Sequence, residues 1–151
     1  MKSEAVVQLD GFIEKFSPEI ATATQAALKK MRKRYPTALV LVYDNYNALA
    51  IGFAPSEKAS EAIFSIAVYP RWVSLFFLQA KSVSDPEKLL KGSGSVAKHV
   101  VLQSPADLDQ PAIVAMMEAA VEVAKVPFAA EGKGELIIKS VSAKQRPRRP
   151  A

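Results

Sequence analysis

The chain has 151 residues, half of them hydrophobic, no cysteine, one histidine and a formal net charge of +5. That length suits one domain with a real core, and the composition excludes a disordered chain, disulfides, thiolate metal sites and thiol catalysis. No apolar run approaches the roughly 20 residues of a membrane helix. The opening MKSEAVVQLDGF breaks with an acid and a Gln where a leader would be continuously apolar, so a cytoplasmic location is expected.

Val6, Leu9, Phe12, Ile13 and Phe16 recur at helical spacing and predict a first helix near residues 4–16, weakened by Gly11. Ser17-Pro18-Glu19 then carries a helix-start signature: Ser as N-cap, Pro at the first position, Glu at the positive end of the dipole. This second helix is expected to run to Arg34, with Pro36 stopping it. Its last turns hold the cluster Lys29, Lys30, Arg32, Lys33 and Arg34, which suits the negative end of the helix dipole.

Four β-branched or aromatic segments follow at 38–43, 46–54, 61–69 and 72–79, separated by turn residues and short enough connections for an antiparallel meander. Ser84-Asp85-Pro86-Glu87 predicts a short helix that KGSGS closes. A fifth strand is expected near 98–102. Residues 105–125 read as mainly helical, with Asp109 as cap and Pro111 in the first turn, and Pro127 ends them. ELIIKSVS, 135–142, reads as a last strand. The remaining nine residues, 143–151, hold Lys144, Arg146, Arg148 and Arg149, show no apolar face, and are expected to form a mobile basic tail. With Lys139 these cations make a second cluster. The two clusters take half of the 20 Lys and Arg, so the remainder, holding all 15 acids, is mildly acidic.

The segments LVYDNYNALAIGF, SIAVYPRWVSLFFL, DPEKLLKGSGS and IIKSVSAKQRPRRP, in this order, resemble the YdhG-like family of bacterial domains, the domain of unknown function 1801. The resemblance spans residues 17 to the C-terminus. It implies an α+β chain built as a two-layer α/β sandwich, an antiparallel sheet of about five strands with helices on one face, similar to secretion-chaperone-like folds. It implies no particular reaction.

If Asp44-Asn45 forms a two-residue turn, Tyr43 lies opposite Tyr46. Their face also holds Leu39, Leu41, Ala48, Ala50 and Gly52. The other face holds Val40, Val42, Leu49, Ile51 and Phe53, the better core. Around Pro70-Arg71, Tyr69 pairs with Trp72, on a face with Ile63, Ser65, Ala67, Ser74, Phe76 and Leu78. In a meander the first and third turns share one end of the sheet, so Tyr43, Asp44, Tyr46, Asn47, Tyr69, Arg71 and Trp72 are the candidate ligand- or partner-binding residues. The plain alternative is that the aromatics only close hairpin ends.

Catalytic signatures are weak. His99 is the lone histidine, and no nucleophile elbow is present. Asp107/Asp109 and Glu118/Glu122 read as solvated pairs, so neither a metal nor a cofactor is expected. The leading expectation is a non-enzymatic small-molecule or protein binding module, chaperone-like, using the aromatic-polar sheet face. The alternatives are an enzyme acting through Tyr43, Asp44, Asn47, Tyr69, Arg71 and His99, an iron or other metal carrier, and a nucleic-acid binder through the basic clusters. Because helices cover one sheet face only, a homodimer through the other face is expected.

Overall fold

Helix starts and strand alternation account for most of the architecture in the computed structural model, which describes residues 2–92, 94 and 96–150. Ser3 accepts a hydrogen bond from the Val6 amide and opens α1 (Glu4–Glu14). α2 (Pro18–Arg34) begins with Pro at its first position; Ser17 stands at the N-cap, where its carbonyl, not its hydroxyl, takes the first helical bond. Leu9, Ile13 and Phe16 from the first segment and Ala27, Leu28 and Met31 from the second face the sheet and are buried.

The strands β1 (Leu39–Asp44), β2 (Leu49–Ala54), β3 (Phe64–Val68), β4 (Val73–Phe77) and β5 (Lys98–Leu102) form the expected antiparallel meander. Alternation assigns their faces as the sequence does: Val40, Val42, Leu49, Ile51, Phe53, Ile66, Leu75 and Phe77 enter the core beneath the helices. Ile63 departs from this. It belongs to the core, because it precedes β3 on a chain leaving the 3₁₀ turn at Ala59–Glu61, where strand alternation has not begun. α3 (Pro111–Val123) completes the helix layer through Ile113, Met116, Met117 and Ala120. Gln110, not Asp109, is its N-cap; the Asp109 carboxylate instead meets Lys30 and Arg34 across the helix layer.

The sheet has six strands rather than five, and it is mixed: β6 (Leu136–Val141) lies parallel to β1, giving the order β5-β4-β3-β2-β1-β6. The meander leaves β1 with a free edge, and the chain reaches it by way of α3, a crossover that sets the strand direction parallel. A bulge interrupts the pairing between Val42 and Tyr43. Gly134 is required where this strand enters, because a Cβ there would lie 1.9 Å from the Ala38 carbonyl oxygen.

The helix expected from Ser84 is a turn instead. The Asp85 carboxylate accepts the amides of Leu89 and Leu90, and Lys88 adopts φ 53, so the side chain satisfies amides that a helix would have paired internally. In the closing KGSGS, Ser93 and Ser95 lie outside the described residues, and Lys91 bridges to His99. Among the described residues, no helix is long and apolar enough to cross a membrane.

Candidate functional site

The helices all pack on one face of the sheet. No helix among the described residues covers the opposite face, where Leu41, Ala54 and Ala62 are buried among Leu39, Tyr43, Leu78 and Ile137. On this face a groove of about 640 Å³ opens between the first and third hairpins. Its floor is small: Ala48, Ala50, Ser65 and Ala67. Tyr46, Tyr69, Phe76 and Leu78 form its apolar walls, and Asn45, Asn47 and Ser142 its polar rim.

Two aromatic stacks stiffen these walls. Tyr69 lies on Trp72 at 4.8 Å between ring centroids, and Phe76 lies on His99 at the same spacing. Both side-chain pairs follow from register. The Tyr69 amide donates to the Trp72 carbonyl, and Phe76 is the cross-strand partner of His99. The Pro70-Arg71 turn therefore sits where the sequence placed it.

The first hairpin does not. Its turn is centred on Tyr46-Asn47 rather than Asp44-Asn45, with Asn45 N–H donating to the Ala48 carbonyl, and Tyr43 pairs with Ala50 instead of Tyr46. The displacement is two residues, so the flanking strand side chains keep their predicted faces, while Asp44 passes from the turn into β1. Of the seven candidate residues, Tyr46, Asn47 and Tyr69 line the groove together. Trp72, 43% exposed, joins through its stack on Tyr69. Tyr43 is half-buried on the same face, with its hydroxyl buried and without a hydrogen-bond partner among the described residues. Arg71 is exposed at a turn tip and is not part of the lining. Ser142 and Asn45 are additions: the sequence left the direction of β6 open, and with it the place of Ser142.

Asp44 does not belong to the groove at all. Like Val40 and Val42, it points to the helix side, where it is fully buried. Lys15 Nζ lies 2.9 Å from Oδ2, and Arg148 Nη2 lies 2.9 Å from Oδ1. Gln145 Nε2 donates to the Asp44 main-chain oxygen at 3.1 Å. Burial alone would push this carboxyl up, but the polar and cationic side chains of Gln145, Lys15 and Arg148 outweigh it and hold it below its ordinary value. The Arg148 guanidinium also lies 5.6 Å from the Phe16 ring centre.

These contacts tie Gln145 and Arg148, in the stretch expected to be a mobile tail, to Asp44. Arg148 is only 5% exposed, and the reason is electrostatic: a carboxylate on the core face has to be matched by a cation, and the tail supplies it.

No family model, no curated protein and no solved structure matches the chain. The YdhG-like resemblance therefore rests on the four quoted stretches, and the geometry carries the functional reading.

Proposed function

We propose that the chain is a binding module whose helix-free sheet face takes an uncharged small molecule bearing an aromatic ring. One observation carries this reading: none of the eleven residues lining the groove is charged, and its walls are aromatic over a floor of alanines and a serine. Such a surface gives stacking and apolar contact to a ring, while Asn45, Asn47, Ser65 and Ser142 offer neutral hydrogen-bonding groups. It offers no compensation for a buried ligand charge. The volume falls in the range of roughly 300–1,000 Å³ usual for small-molecule sites.

An enzyme built on Asp44, Arg71 and His99 gains no support from the same geometry. Both Asp44 oxygens are engaged by cations on the opposite side of the sheet, and neither Arg71 nor His99 lines the groove. The YdhG-like, chaperone-like assignment and a cytoplasmic setting stay part of this proposal, resting on the sequence stretches and the lack of cysteine. A second copy of the chain is the competing occupant, since Tyr46 and Trp72 remain 51% and 43% exposed on this face.

The single tryptophan, stacked on a groove residue, is the reporter. Titration with 2-naphthol is expected to change Trp72 fluorescence saturably, and 2-naphthalenesulfonate, its charged relative, is expected not to. Equal response to both probes would refute the neutral-ligand reading. A mass by light scattering that doubles with concentration, with no response to naphthol, would assign the face to a second copy.

A further inference from the structure

We infer that residues 142–149 form a clasp and that Arg148 is a positioning residue, one that sets the Tyr46-Asn47 wall of the groove without touching its ligand. This inference rests on the groove reading given above.

The path of the chain supports it first. After β6, the Ser142 amide donates to the Asp44 carbonyl at 2.8 Å and the Arg146 amide to the Tyr46 carbonyl at 2.9 Å. Arg148 Nη2 donates to the Asn45 carbonyl as well as to the Asp44 carboxylate. Three consecutive carbonyls of the first hairpin, at 44, 45 and 46, are thus all held by one segment about 100 residues further along the chain. Arg149 fastens the far end, donating to the Lys15 and Glu14 carbonyls, groups at the C-terminus of α1 that have no helical partner.

The turn itself shows why it needs holding. Tight two-residue hairpins use turns with positive φ at one or both central positions, because that twist matches the strands. Neither Tyr46 nor Asn47 has positive φ; Lys88 is the sole non-glycine among the described residues that does. The hairpin therefore lacks the turn geometry that would fix it unaided, and the Asn45 carbonyl is turned to Arg148.

The third observation connects the clasp to the groove. Asn45, Tyr46, Asn47 and Ser142 all line it, and every one lies in the hairpin turn or at the start of the clasp. Releasing Arg148 frees the polar rim and one aromatic wall together. It leaves the Tyr69 and Phe76 walls, which β3 and β4 hold through their own register, in place.

The test combines amide exchange by NMR with the naphthol titration, on the full chain and its Arg148→Met and Arg148→Lys variants. In Arg148→Met, exchange at the Asn45, Ser142 and Arg146 amides is expected to quicken at least tenfold more than exchange at the Tyr69 amide. Naphthol affinity is expected to fall three- to tenfold. Arg148→Lys keeps a charge for Asp44 but cannot reach it and the Asn45 carbonyl with one planar fork, so it is expected to restore stability more than affinity. Unchanged exchange at Arg146, or equal quickening at Tyr69, would overturn the clasp. Unchanged affinity in Arg148→Met would overturn the positioning role. If the unaltered chain binds no naphthol, the groove reading falls by itself, and the exchange data still decide the clasp.

Discussion

Arg148→Met is the most informative single perturbation of stability. The substitution keeps an unbranched apolar stem against Phe16 but removes the guanidinium from a carboxylate that is fully buried. Removing one partner from a buried ion pair costs about 3–5 kcal/mol, since the other charge is left desolvated. Lys15 reduces this, because it still meets Asp44 Oδ2 at 2.9 Å from a half-exposed position. The hydrogen bond to the Asn45 carbonyl is lost as well, at about 1.5–3 kcal/mol for a charged donor, part of it already counted in the ion-pair figure. The expected loss is about 2–4 kcal/mol, which lowers the melting temperature by roughly 5–15 °C for a chain of this size. Urea unfolding is the assay, with an unchanged slope and a lower midpoint. Asp44→Asn made in both backgrounds should return a coupling of about 1 kcal/mol or more. A loss below about 0.5 kcal/mol, the scale of ordinary surface changes, would refute the reasoning.

The depressed carboxyl of Asp44 adds stability that is fully present above its ordinary value of 3.8 and is lost as pH falls through the lower folded value; urea midpoints measured from neutral to strongly acidic pH should therefore show a shallower acid limb in Asp44→Asn than in the unaltered chain. Gly134→Ala, whose Cβ would meet the Ala38 carbonyl, should cost about 3 kcal/mol or more by chemical denaturation. Gly11→Ala, inside α1 with nothing within 4 Å of the new Cβ, should raise stability by about 0.5–1 kcal/mol on the same assay. Phe76→Asp puts a charge into the groove wall and should abolish the naphthol response, while circular dichroism keeps its folded signature.

Period-two alternation made the sheet readable. Val40 and Val42 against Ile51 and Phe53, and Ile66 against Leu75, fall on the core face, and Tyr69 finds Trp72 across a turn whose residues declare it. A two-residue error at the first turn was harmless to the faces, because it preserved parity. The same shift moved Asp44 out of the turn, where the sequence had set it among the groove residues, and into β1 on the face of Val40 and Val42, where it needs a cation. Neither half of the clasp was legible, since Arg148 lies 104 residues away in a stretch whose composition reads as solvated. The direction of β6 was likewise unreadable: a strand that follows a helix has no turn to fix it, in contrast to the tight links that join β1 to β2 and β3 to β4. Asp85 misled by local chemistry, since a helix cap and an Asx-type turn begin with the same residues.

The place of β1 in the strand order governs how the chain must fold. β1 pairs on one side with its immediate successor and on the other with β6, nearly a hundred residues later. During synthesis the first partner arrives at once and the second only after nearly a hundred more residues, so the run LVLVYD presents an open edge over that interval. Long-range parallel pairing is also the slow kind, because loop closure precedes any contact that rewards it. Partly made or slowly folding chains should therefore associate through β1, and the yield of native protein should improve under conditions that slow synthesis relative to folding.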